Sequence, residues 1–154
     1  MENTKATIET LNDLILINND RITGYERALS DLKEDETDLK YIFTNLIGES
    51  HQFKMELATE VAALGKDIET GTSTSGKLHR TWIDVKTAFS GHSKKSVLEE
   101  CEFGEDATQK AYKSAIEDEG VPAYIKDILT EQEVSLKAAH DKVKALRDAE
   151  RQAS

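Results

Sequence analysis

Four stretches of this chain repeat apolar residues at alternating spacings of three and four, and that rhythm most constrains what the chain can fold into. The first stretch runs Ile8, Leu11, Ile15, Asn18, Ile22, Tyr25, Leu29 and Leu32. The second runs Leu39, Phe43, Leu46, Ser50, Phe53, Leu57, Glu60 and Leu64. Such spacings line residues along one stripe of an α-helix, whereas a half-buried strand needs alternation by two. Val61 beside Glu60 shows the second stripe drifting, because about 3.6 residues per turn do not match a seven-residue repeat. The third stretch is Val97, Cys101, Gly104, Thr108, Ala111 and Ala115, small residues that let a helix approach its neighbours closely. The fourth is Ile125, Leu129, Gln132, Leu136, Ala139, Val143 and Leu146. Four helices with one apolar stripe each bury those stripes against one another, so the expected fold is all-α, a four-helix bundle.

The breaks between stripes set the boundaries. Thr4 or Thr7 suits the start of the first helix, and Lys33-Glu34-Asp35-Glu36-Thr37 is a charged turn. Gly65 is placed to end the second helix in a left-handed conformation. Residues 69–76 are Gly, Ser and Thr in all but one position, which is loop chemistry. Leu78, Trp82, Val85 and Phe89 then form one face of a short helix over about 76–90, stopped by Gly91-His92-Ser93. Gly120-Val121-Pro122 is a stop followed by a start, with the proline suited to a first helical turn. The long helices are expected at 4–32, 37–64, 94–119 and 122–149, with a fraying tail, in a single domain over residues 1–154.

Residues 65–93 decide the connectivity. An up-down-up-down bundle needs only short loops, and this segment is too long for one. The second helix is about 40 Å long at about 1.5 Å per residue, and a loop plus a short helix covers most of that distance. The third helix is therefore expected to start at the opposite end of the bundle and run parallel to the second. That is the single long crossover of ferritin-like bundles.

Charge narrows the partners. The net charge of −10 repels phosphate backbones and anionic lipid surfaces, which argues against nucleic acid and membrane as partners. No apolar run approaches the roughly 20 residues that span a bilayer. The lone Cys101 suits a reducing compartment, and Met1-Glu2-Asn3-Thr4-Lys5 lacks the basic-then-apolar order of a signal peptide, so a cytoplasmic location is expected. There is no glycine-rich phosphate loop, nucleophile elbow or paired-cysteine zinc motif.

Each seam is interrupted near its middle, by Asn18, Ser50, Gly104 with Thr108, and Gln132. If the helices align, these breaks share one level, and inward side chains from four helices converge there to build metal and cofactor sites. Glu26, Glu49, Glu105 and Glu133 flank that level, and His140 follows Glu133 by two turns. Carboxylates with a histidine suit hard or borderline divalent metals. The plainer reading is structural: a polar residue in a bundle seam fixes register, and flanking glutamates line a solvated face. Cys101 reads as a small buried hydrophobe, and His51, His79 and His92 as surface or loop residues.

Four stretches carry a family resemblance. They are Leu11-Asn12-Asp13-Leu14-Ile15, Leu78-His79-Arg80-Thr81-Trp82-Ile83-Asp84, Glu99-Glu100-Cys101-Glu102-Phe103-Gly104-Glu105-Asp106, and Ala139-His140-Asp141-Lys142-Val143-Lys144-Ala145-Leu146-Arg147-Asp148. The chain resembles, over nearly its whole length, a bacterial four-helix-bundle family of unknown function within the ferritin-like superfamily. The superfamily pattern places a glutamate on the first and third helices and Glu-x-x-His on the second and fourth. Glu105 fits the third-helix element and Glu26 is the candidate for the first. Glu49 is followed at the third position by Gln52, and Glu133 by Leu136, so both histidine positions depart from the pattern. The resemblance thus implies a degenerate site of Glu105, Glu49, Glu133 and His140, holding iron or manganese weakly or no cofactor at all.

Two functions follow. One is a non-enzymatic helical bundle acting through protein contacts or self-association as a homo-oligomer, in a stress setting. The other is a ferritin-like metal-binding or oxidoreductase protein with that degenerate carboxylate and histidine site.

Overall fold

The computed structural model of the chain describes residues 2–65 and 93–153. Within them lie four α-helices: α1 (Glu2–Asp31), α2 (Thr37–Ala63), α3 (Lys94–Glu117) and α4 (Ala123–Ala153). The chain is an all-α, ferritin-like four-helix bundle, as the seams imply.

Local chemistry explains the ends. Gly65 adopts a positive φ of 82° and its N–H closes on the Ala62 carbonyl at 3.0 Å, so α2 stops where the glycine permits a left-handed turn. The Ser93 hydroxyl accepts from the Ser96 N–H at 3.1 Å and caps α3. The Pro122 carbonyl accepts from Lys126 N–H at 3.0 Å and opens α4. Most helix ends fall within two residues of the sequence expectation, and two of the differences have a visible cause. Helix α3 ends at Glu117 because Asp118 turns extended and its carboxylate accepts the Gly120 N–H at 2.9 Å. Helix α4 continues past residue 149 because Arg147 and Arg151 tie its tail to Glu102 and Glu99 of α3, at 2.6 and 2.7 Å.

Contacts across the bundle give the topology. Down α1, Thr7 meets Gly120, Asn18 meets Tyr112, Arg21 meets Glu105 and Arg27 meets Glu100, so α1 and α3 are antiparallel. Tyr25 packs tilted against Phe43 and Asn18 meets Ser50, so α1 and α2 are also antiparallel. Helices α2 and α3 therefore run parallel, and the link between them starts at one end of the bundle and finishes at the other. The expected short helix over 76–90 lies outside the described residues.

The core divides in two. One cluster gathers Leu11, Ile15, Leu57, Val61, Tyr112, Ala115, Ile125 and Leu129 at one end. The other gathers Tyr25, Leu32, Leu39, Phe43, Val97, Leu98, Cys101 and Val143 at the opposite end. A buried polar layer separates them. Leu57→Ala should cost about 2–5 kcal/mol, because Leu57 has no exposed surface and leaves a cavity. Tyr41→Ala, at 71% exposure, should stay within about 0.5 kcal/mol of the parent; urea denaturation of both variants checks the contrast.

Candidate functional site

Arg21 of α1 sits in the middle of the layer with no exposed surface. Its guanidinium meets the Glu105 carboxylate of α3 as a fork: Nε donates to Oε1 at 2.8 Å and Nη2 to Oε2 at 2.9 Å. Nη1 donates to the Ser50 hydroxyl of α2 at 2.8 Å and reaches the Leu46 carbonyl at 3.5 Å. Glu49 Oε1 approaches Nη2 at 2.9 Å but off the hydrogen-bond axis, so that oxygen has charge contact without an aligned donor. Tyr25 completes the cluster. Its hydroxyl donates to Glu105 Oε2 at 2.9 Å, and its ring lies 5.6 Å below the guanidinium carbon. Both Glu105 oxygens are thus engaged, with Arg21 alone or with Arg21 and Tyr25 together.

The layer continues across the bundle. The Ser50 hydroxyl donates to Asn18 Oδ1 at 2.9 Å, and the Asn18 amide donates to the Tyr112 hydroxyl and the Leu14 carbonyl, both at 2.9 Å. Tyr112 donates to Gln132 Oε1 at 2.7 Å, and Gln132 Nε2 donates to Glu56 Oε1 at 2.9 Å. One chain of hydrogen bonds therefore links all four helices, running from Glu105 through Arg21 to Glu56. The breaks at Asn18, Ser50 and Gln132 do share one level. Thr108 is buried beside them with its hydroxyl on the Gly104 carbonyl of its own helix.

Burial alone would lower the Arg21 pKa, but Glu105, Tyr25 and Glu49 outweigh it and hold the guanidinium charged, above its ordinary value. Burial and then the Glu105 charge push the Tyr25 phenol well up, and burial does the same for Tyr112. Cys101, buried beside Glu105, is raised by the same two causes and stays a thiol. Burial raises Glu49 above the usual carboxylate range despite Arg21, with Glu105 adding to the rise.

Of the four residues expected to form a metal set, Glu105 and Glu49 come together, and the cation between them is Arg21. Glu133 of α4 lies half-buried within 3.2 Å of the Gln109 amide. His140 faces Glu102 and Asp106 on the outer seam of α3 and α4. Glu26 is exposed on α1. The residue that sequence reasoning missed is Arg21. Its signal was its spacing, three after Asn18 and four before Tyr25, which makes it as eligible for the seam as Ile22.

A pair of metal ions does not fit this centre. The Glu105 carboxylate already accepts from two guanidinium N–H groups and a phenol, and a fixed positive charge occupies the space between Glu105 and Glu49. A metal ion there would sit against that charge. His140, the histidine of the expected set, belongs to another cluster.

Fold and site together define a ferritin-like four-helix bundle with an ion-paired polar centre. Among solved structures, a point mutant of Mycobacterium smegmatis Dps1 superposes with a TM-score of 0.81 at 13% identity, covering 95% of this chain and 97% of that one. Ferritin-like, diiron-carboxylate proteins from Bacillus anthracis str. Ames superpose with a TM-score of 0.60 at 19% identity, covering 99% and 98%. The chain belongs to the family described as a domain of unknown function, DUF2383, whose profile matches residues 6–118. None of the curated proteins matches it. Among the described residues, no helix is long and apolar enough to cross a membrane.

Removing one partner of a buried ion pair leaves the other charged and unsolvated. Glu105→Gln should therefore cost about 3–5 kcal/mol in denaturant unfolding. Glu49→Gln should cost under about 1 kcal/mol, because Glu49 is partly exposed and Arg21 keeps its fork to Glu105. The pH dependence has a defined sign. A raised Glu49 pKa means the folded state binds that proton more tightly than the unfolded chain. Its stabilising contribution is full below the ordinary carboxylate range and is lost as pH rises through the raised value. Relative to Glu49→Gln, the parent should lose stability over that interval, as read from unfolding midpoints at stepped pH.

Proposed function

We propose that this chain is a non-enzymatic, cytoplasmic helical-bundle protein that acts through contacts with other proteins or with copies of itself. The observation that carries the reading is Arg21. Where inward carboxylates of a ferritin-like bundle could collect metal ions, this chain supplies its own cation, fully buried and hydrogen-bonded on every side. The bundle centre is thereby built for register between helices rather than for turnover. The raised pKa values of Tyr25 and Cys101 fit the same reading, since both groups are kept protonated and unreactive.

The surface offers means of contact. Tyr41 and Met55 share one face of α2 and are 71% and 65% exposed, and Phe103, Tyr124 and Val134 are open to solvent on α3 and α4. Large apolar side chains in the open favour association when they can be covered together. The diiron-carboxylate character of one structural neighbour supports the rival oxidoreductase reading only through fold, and the ion-paired centre speaks against it.

Sedimentation velocity from micromolar to near-millimolar protein should show species heavier than the 17.2 kDa chain, reduced by the double change Tyr41→Ser and Met55→Ser. Iron(II) oxidation in air should run no faster than in buffer. A monomer at every concentration, with iron oxidation that Glu105→Gln abolishes, would overturn the proposal.

A further inference from the structure

The geometry points to a metal-binding function away from the bundle centre: a borderline divalent cation held by Glu102, Asp106 and His140 on the outer seam of α3 and α4. Glu102 and Asp106 are one turn apart on α3 and so project from the same face. His140 reaches them from the antiparallel helix α4. Its Nε2 lies 3.2 Å from Glu102 Oε2 and 3.7 Å from Asp106 Oδ1, and one ligand atom from each of the three residues falls within 4.8 Å of the others. Bonds of about 2.0–2.2 Å to one ion place neighbouring ligand atoms about 3–3.5 Å apart, so small side-chain adjustments suffice.

A second feature separates this cluster from a chance gathering of surface charge. Each of the three residues has its other polar atom held by a different neighbour. Arg147 Nη1 binds Glu102 Oε1 at 2.6 Å, and Lys110 Nζ binds Asp106 Oδ2 at 3.1 Å. Asp141 Oδ1 engages His140 Nδ1 at 3.2 Å, and Lys137 holds Asp141 through its other oxygen, Oδ2, at 2.9 Å. With its proton on Nδ1, donated to Asp141, the imidazole turns the Nε2 lone pair outward, the arrangement that orients metal-ligating histidines. Here the outward lone pair faces two carboxylate oxygens. In that tautomer three lone pairs face one spot, which a cation can share. One imidazole with two carboxylates on one face suits first-row ions such as Fe(II), Mn(II), Co(II) or Zn(II), with the remaining positions open to water. Asp106 is about half exposed, so the ion enters from solvent.

The inference is independent of the protein-contact reading, which stands if this site fails. Full-length protein stripped with chelator is titrated with Co(II), read by its visible absorption and by calorimetry. The expected result is one equivalent bound, weakened at least tenfold by His140→Gln and by Asp106→Asn, and unchanged by Glu133→Gln. Circular dichroism confirms that each variant keeps its helices. If the parent and His140→Gln titrate alike with Co(II), that result overturns the site. Failure of the parent to bind Co(II) does so as well.

Discussion

A guanidinium with no exposed surface must be matched by the groups around it or the helix carrying it cannot enter the bundle. Arg21 meets that demand through Glu105 on α3, Ser50 and Glu49 on α2, and Tyr25 on its own helix. The matches on α2 and α3 tie α1 to both neighbours at one height. The apolar seams on either side tolerate sliding, because one leucine fills a hole much as another does. The fork between Arg21 and Glu105 does not: a shift of one turn moves the partners about 5.4 Å apart and strands two charges. The pair thus contributes alignment more than net stability, and the two apolar clusters take their positions from it.

The hydrogen-bond chain beyond Arg21 extends the same control to α4. Gln132 is the last inward polar residue, and it is satisfied by Tyr112 on one side and by Glu56 and the Phe53 carbonyl on the other. An apolar residue at that point would leave the buried Tyr112 hydroxyl without its acceptor, at a cost of about 1–3 kcal/mol. Polar layers of this kind are favourable only when complete. In this one, the single buried side-chain atom without a hydrogen bond among the described residues is Glu49 Oε1, on a partly exposed side chain.

The helical periodicity made the fold legible, including the parallel course of α2 and α3 inferred from the length of residues 65–93. The level of the polar layer was legible for the same reason, since Asn18, Ser50 and Gln132 interrupt otherwise apolar seams. Which charged neighbour turns inward was not. Adjacent residues differ by about 100° around a helix, and a stripe is wide enough to admit either Arg21 or Ile22. The bundle buried both, and left Glu26 outside. Glu133 and His140 share one face of α4, as their spacing implied, but seven residues separate them by about 10 Å along the axis. Glu133 therefore meets Gln109 and His140 meets Glu102, one level apart on the same seam.

A bundle that turns carboxylates inward needs positive charge among them, and the source of that charge decides how the protein depends on its surroundings. A metal ion has to be acquired, and folding then becomes linked to its supply. A side chain arrives with the sequence. By placing Arg21 between Glu105 and Glu49, this chain completes its centre when the helices associate, whatever ions are present. The outer seam is built the other way. There Arg147, Lys110 and Asp141 hold the far atoms of Glu102, Asp106 and His140, and the near atoms lie within 4.8 Å of one another. Register is thus secured inside by a permanent cation, while responsiveness to solution ions is left to the surface, where binding or losing one does not disturb the core.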